Sequence, residues 1–376
     1  MKFLVINTDY SRFLEWFYAK YPGLQDQPYG EQVQKRIHTL FGVADFYSRN
    51  LQKLGHEAWT IFANIEPMQR EWAREHGIKL GPERAWQFRL RRGVVPWISL
   101  SKNRNWFLEI LREQIKYYRP DILLNQAMST INTQFLKEIK PYTRLLVGQH
   151  AATKLSESER WGCYDLVISS FNPTLDWFRR KGLPSELSRL AFEPKVLSGL
   201  GDRDITVDIS FIGNFYRGIH DSRVKFVEKL CDRFNCMNIW GPYANQLSSS
   251  SSISKYYVGQ AWGREMYQIL QNSKITLNHH GDVPPYANNM RLFEATGVGT
   301  LLVTDWKKNL SEMFEPGKEI IAYRNSEECV ELIRYYLEND DERRAIAKAG
   351  QRRTLSEHTY YHRMEELVEI VKKYLM

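Results

Sequence analysis

Cysteine is scarce: Cys163, Cys231, Cys236 and Cys329 are the four in 376 residues. They form no CxxC pair and have no histidines at matching spacing, which argues against both a disulfide framework and a zinc site. A reduced, cytoplasmic chain is expected. Long apolar runs are missing too. No segment approaches the roughly 18 uninterrupted apolar residues of a membrane span. The opening "MKFLVINTDY" has only Phe3 to Ile6 in succession before Asn7, too short for a signal-peptide core. No Walker loop, GxGxxG, GxSxG or HExxH occurs, so ATPase, dinucleotide dehydrogenase, serine hydrolase and zincin readings lose their best support.

What is present is basic and aromatic. The formal charge is +8 and 13% of residues are Phe, Trp or Tyr. Such a balance suits nucleotides, phosphorylated substrates, nucleic acid or an acidic membrane face, and equally a merely soluble basic surface. The length exceeds one ordinary core and fits two domains of about 150 to 200 residues.

Apolar strands alternate with helical stretches in both halves. "KFLVI" and "AWTIFA" flank a long loop and a helix over about 32–54, and "DILLN", "RLLVGQH" and "LVISS" follow. The pattern restarts at "ITVDISFIGN" and continues through "MNIWG", "ITLNHH" and "TLLVTD". Alternation of this kind predicts parallel sheets covered on both faces. The Gly/Pro/Ser-rich break is read as a linker: residues 1–185 form one domain, 186–204 the linker, 205–355 a second domain, and 356–376 a helix crossing back. Ser248 to Ser252 read as a mobile surface loop.

Open parallel sheets bind ligands beyond the C-terminal ends of their strands. The stretch "LNHHGDVPPYANNMRLFEATGVGTLLVTD", residues 277–305, leaves such an end. Its helix, beginning at Asn289 or just after, offers unpaired N–H groups and partial positive charge to a diphosphate. Glu294 is a lone acid in an apolar segment, and two ribose hydroxyls would satisfy both its oxygens. Gly297 and Gly299 are read as helix termination. His279 and His280, adjacent at a strand end, point to opposite faces and chelate one metal poorly.

The loop "FIGNFYRGIHDSR" offers Arg217 and Arg223 to an anion, or is a solvated basic turn. Backbone near Val258 and Gly259 is positioned to hold a flat base, and ordinary turn chemistry explains the same residues. His150, ending "GQH", is either a sugar contact and general base or a structural histidine. Asp202-Arg203-Asp204 matches a DxD pattern but lies in the linker and reads as a solvated charge run. His358 and His362 have a metal-pair spacing without a third ligand, so packing is preferred. The stretch 84–107 interleaves arginines with Trp86, Trp97 and Trp106, a surface suited to nucleic acid, an anionic membrane or an acceptor glycan.

"NNMRLFEATGVGTLLVTD", "FEPGKEIIAY", "ERRAIAKAGQRR" and "HTYYHR" resemble the C-terminal half of CgeB-like glycosyltransferases of the glycosyltransferase-B (GT-B) superfamily. The resemblance covers 206–365, and "YGEQ" with "FGVADFYSRNLQKLGHE" is similar to the acceptor lobe of the same group. It implies an α/β chain of two Rossmann-like domains facing a central cleft, with a C-terminal helix returning to the first. Glu294 then matches the ribose carboxylate and 288–291 the diphosphate loop, and His150 faces the donor sugar. Tyr286 stands where many retaining relatives carry a second glutamate.

The expected activity is metal-independent transfer of a sugar from a nucleoside-diphosphate donor, UDP-sugar or similar, to a glycan, lipid or small-molecule acceptor. No other cofactor is expected, nor a nucleic-acid partner. The donor side comprises Asn214, Arg217, Arg223, Gly241, Val258, Gly259, His280, Gly281, Asn288, Asn289, Met290, Arg291 and Glu294; the acceptor side comprises Asp9, Tyr29 and His38, and His150 is the catalytic candidate. The chain is expected in the cytoplasm, able to lie against the inner membrane face. Alternatives are a sugar-nucleotide epimerase or hydrolase on the same scaffold, and a basic nucleic-acid-binding protein.

Overall fold

The computed structural model describes the chain except residues 82–83, 92–94, 103–105, 152–154, 156, 158–160, 217, 219, 281–284 and 376; for 84–91, 95–102 and 245 only the backbone is described. The strands are β1 (Lys2–Asn7), β2 (Glu57–Phe62), β3 (Arg84–Arg91), β4 (Val95–Lys102), β5 (Ile122–Asn125), β6 (Leu145–Gln149), β7 (Leu166–Ser169) and β8 (Ser185–Leu187) in the first half. The second half holds β9 (Val207–Ile212), β10 (Met237–Trp240), β11 (Tyr257–Gly259), β12 (Ser273–Asn278), β13 (Leu301–Asp305) and β14 (Ile321–Tyr323). Two six-stranded sheets result, ordered β2-β1-β5-β6-β7-β8 and β11-β10-β9-β12-β13-β14, while β3 and β4 form a separate antiparallel pair.

Every pairing in the two large sheets is parallel. Helices on both faces bury strands such as β5 and β13 at every position, which is why these strands are continuous apolar runs. In each sheet the order reverses beside the first strand, opening a crevice at the C-terminal ends of β1/β5 and of β9/β12.

The helix expected over 32–54 is two helices, Tyr29–His38 and Phe46–Lys53. Between them Leu40 and Ala44 adopt positive φ of 58° and 36°, a conformation side-chain chemistry does not announce. The expected long loop after β1 contains the helix Ser11–Lys20. The first sheet runs to Leu187, past the expected domain boundary at 185, because the short edge strand β8 pairs with β7 directly after Pro184. The serine run is tied to the preceding helix, where Ser251 Oγ donates to Glu228 at 2.6 Å. Asp202, Arg203 and Asp204 are exposed in the linker.

The final helix, Tyr360–Leu375, packs on the first lobe. Phe192 and Thr359 bridge, with Phe192 N–H donating to His358 O and Tyr360 N–H to Phe192 O, both at 2.9 Å. The Tyr360 ring then lies 5.3 Å from Phe46 and 5.5 Å from Tyr47. His358 is a packing residue within this crossing: its Nε2 donates to Met313 O and its Nδ1 accepts from Arg363, each at 2.8 Å.

Candidate active site

The C-terminal ends of β9, β10 and β11 meet through glycine backbone. Gly213 N–H donates to Trp240 O at 3.0 Å and Gly241 N–H to Gly259 O at 2.9 Å. Gly241 has φ of 151°, and a β-carbon there would come within 1.7 Å of Gly213 O, so close approach of the two strand ends requires glycine. Val258 beside them is 56% exposed. The result is a flat, side-chain-poor shelf.

Across the crevice, Arg223 joins the loops after β9 and β12: its Nη1 donates to Asn214 O at 3.0 Å and its Nη2 to His279 O at 3.1 Å. The loop before helix Arg291–Gly297 is held from below. Ala287 N–H donates to the Asn309 side chain at 2.7 Å, and Asn289 Nδ2 donates to Asn278 Oδ1 at 2.7 Å. Asn289 therefore orders the loop and does not cap the helix, whose N-cap position is Met290 with no side-chain cap. Tyr286 reaches the opposite lobe and packs edge-on against Phe171, ring centres 6.2 Å apart.

Glu294 is not alone in its apolar surroundings. Its Oε2 lies 2.9 Å from Arg291 Nη1, one turn earlier, and Tyr267 hydrogen-bonds it. Burial pushes its carboxyl above the ordinary range, and Arg291 and Tyr267 oppose that rise. Arg291 Nη2 also donates to Ile212 O at 3.3 Å, placing the pair beneath the end of β9.

A second network, which reading the motifs did not reveal, surrounds Asp305 at the end of β13. His280 approaches Asp305 Oδ1 with its backbone N–H at 3.1 Å and its Nδ1 at 2.6 Å. Lys307 Nζ lies 3.1 Å from Oδ2, and His279 faces the same oxygen at 3.7 Å. Burial alone would raise Asp305, but the His280 hydrogen bond and the facing His279 and Lys307 hold its carboxyl well below the usual range. A lone acid closing the apolar run "TLLVTD" was the available signal.

His150 is 9% exposed at the end of β6, its N–H donating to Ile168 O at 3.2 Å. Of the acceptor candidates, His38 is exposed at the junction between the lobes. Asp9 is instead a structural partner: Arg36 Nη2 and Nε donate to its two oxygens at 2.6 and 2.7 Å. That arginine is fully buried among the Phe13, Phe41 and Phe62 rings. Tyr29 lies with Trp59, Trp72 and Tyr118 on another face. Arg217 and Gly281 lie outside the described residues, as do Arg92 and Arg104 of the Arg/Trp stretch. Among the described residues no three His, Cys, Asp or Glu side chains group as a metal site, and no helix is long and apolar enough to cross a membrane.

The family model described as "Glycosyl transferase-like" matches residues 223–369. No curated protein matches the sequence. Among solved structures, a glycosyltransferase from Rickettsia africae is 11% identical with a TM-score of 0.58, covering 100% of this chain and 98% of that one. HepE of Anabaena, in complex with UDP-glucose, is 10% identical with a TM-score of 0.59, covering 99% and 100%. The pneumococcal O-GlcNAc transferase GtfA, in complex with UDP and GlcNAc, is 10% identical with a TM-score of 0.56, covering 100% and 99%. At these identities the likeness is one of fold: two facing Rossmann-like lobes of the GT-B type over the whole chain.

Proposed function

We propose that this protein, a glycosyltransferase of GT-B fold, binds a nucleoside-diphosphate sugar on its second lobe and transfers the sugar to an acceptor hydroxyl presented by the first. One observation carries the placement of the donor. His280 Nε2, Arg291 Nε and Asn288 Oδ1 are buried without a hydrogen-bond partner among the described residues. Leaving a buried polar group unpaired costs about 1–3 kcal/mol, so three at one strand-end crevice favour a polar ligand that completes them.

In this reading the base lies on the shelf at Gly241 and Gly259, with the ribose hydroxyls donating to the Glu294 carboxylate, which Arg291 also faces. Asn288, Arg291 and His280 then face the diphosphate. Arg291 and Arg223 offset charge on the leaving group, a role that needs no metal. UDP is the first nucleotide to test, because HepE and GtfA have it in their complexes. The CgeB-like subtype, a cytoplasmic location against the inner membrane face, and His150 as the residue nearest the reacting sugar belong to the same proposal.

Thermal shift with UDP, GDP and ADP and their sugars is the direct test. A ligand at 100 times its dissociation constant stabilises by about 2.7 kcal/mol. A nucleotide that shifts the midpoint, followed by sugar transfer that survives EDTA, supports the reading. No shift with any nucleotide would overturn it.

A further inference from the structure

A groove of about 990 Å³ lies between the lobes, beside the shelf rather than on it. Trp16, Lys20 and Lys35 line one wall, and Trp262 and Arg264 line the other. Trp240, which ends β10 one residue before Gly241, closes the side toward the donor crevice. The volume is that of a small-molecule site.

Charge in this groove is mainly positive, with Lys20, Lys35 and Arg264 lining it against one carboxylate, Glu265. Lys20 Nζ sits 4.8 Å from the Trp16 ring centre and Lys35 Nζ 5.2 Å from that of Tyr21, contacts that hold both ammonium groups at the wall. Neither lysine, nor Arg264, has a carboxylate within salt-bridge distance among the described residues. On the helix of Lys20, Arg12 does have one, with Glu15 at 2.9 Å. A helix C-terminus suits each lysine, since both occupy last turns. It does not explain Arg264, the first residue of its helix, where the dipole disfavours a cation. An anion in the groove would satisfy all three.

Taking the glycosyl-transfer reading as its premise, we infer that this groove holds the acceptor, and that the acceptor is an anionic saccharide. Its sugar ring lies on the tryptophan walls, and its carboxylate or phosphate is taken by Lys20, Lys35 and Arg264. The helix Arg264–Gln271 links groove and donor: it begins in the groove and carries Tyr267, the hydrogen-bond partner of Glu294.

Calorimetry on the full chain, with and without UDP, tests this using a uronic-acid disaccharide, its carboxyl-reduced neutral counterpart and a glycosyl phosphate. At least one anionic probe is expected to bind at least about 10-fold more tightly than the neutral disaccharide. The Lys20→Ala/Lys35→Ala double variant, checked for an unchanged melting temperature, is expected to abolish that preference while leaving UDP affinity intact. Uronate and phosphate arms distinguish the two sources of charge. Equal binding of charged and neutral sugars overturns the inference, as does weakened UDP binding in the double variant, which would assign the groove to the donor. Lysine-dependent binding of a short oligonucleotide without saccharide binding would overturn it in favour of nucleic acid. Because UDP binding is read separately, failure of the acceptor inference is distinct from failure of the donor reading.

Discussion

Arg264 donates its backbone N–H to the carbonyl oxygen of Thr39 at 2.7 Å, so a main-chain hydrogen bond fastens the second lobe to the first. Gly263 makes this possible: its φ is 55°, and a β-carbon there would come within 1.9 Å of Thr39 O. Trp262 completes the contact by packing edge-on against Phe41 at 5.1 Å. Gly263→Ala is therefore expected to push the lobes apart and lower stability by about 1–3 kcal/mol. Small-angle scattering should show a larger radius of gyration, with a lower melting temperature. An unchanged profile and midpoint would mean that the contact does not hold the lobes.

Glu294 has two jobs in the proposed site, pairing with Arg291 and receiving the ribose. A hydrogen bond to a charged group contributes about 1.5–3 kcal/mol, so Glu294→Gln is expected to weaken UDP binding roughly 10- to 150-fold. Loss of the charge facing Arg291 should lower the melting temperature as well, since the pair is buried. Calorimetry well below that midpoint separates the two effects. Wild-type affinity in a folded Glu294→Gln protein would remove the ribose assignment.

The elements that could be read from sequence were those whose burial is simple. "KFLVI", "DILLN" and "TLLVTD" are covered on both faces at their centres, which are therefore uninterrupted apolar runs. The helix "SRFLEWFYAK" was hidden because its two buried residues, Phe13 and Phe17, are matched by two partly exposed aromatics, Trp16 and Tyr18. The break at 40–44 depends on positive φ at Leu40 and Ala44, residues that rarely adopt it. Within the site, the resemblance and the strand-end position pointed to Glu294 and to the loop of Asn288 and Arg291. Asp305 and Arg36 were missed because their partners come from 25 and 27 residues away, His280 and Asp9.

Asp9 shows the same point from the other direction. An acid just after β1 has the position of an acceptor contact, yet with Arg36 it forms an ion pair whose side chains are 3% and 0% exposed. Removing one partner of such a pair typically costs about 3–5 kcal/mol, whereas replacing both by apolar groups is often neutral. Asp9→Ala is thus expected to lower the urea midpoint strongly, and Asp9→Leu/Arg36→Met to recover much of the loss. If Asp9→Ala kept full stability and lost only transfer activity, Asp9 would return to the acceptor side.

The junction of the crossing helix should make stability depend on pH. Burial, with Arg363, Arg353 and Arg189 nearby, pushes the His358 imidazole down from 6.5 to about 4, despite its hydrogen bond to Met313 O. The neutral ring suits both neighbours, donating from Nε2 to Met313 O and accepting at Nδ1 from Arg363. Between pH 4 and 6.5 the unfolded chain then binds a proton that the native chain refuses, so stability falls as pH falls. The contribution is fully present above pH 6.5 and lost by about pH 4, amounting to roughly 3 kcal/mol at most. His279, also lowered by burial, acts in the same direction. Urea unfolding at pH 7.5 and 4.5 should show a larger drop for the wild type than for His358→Gln, which has no proton to gain in this range. Equal drops in the two proteins would place the pH sensitivity elsewhere.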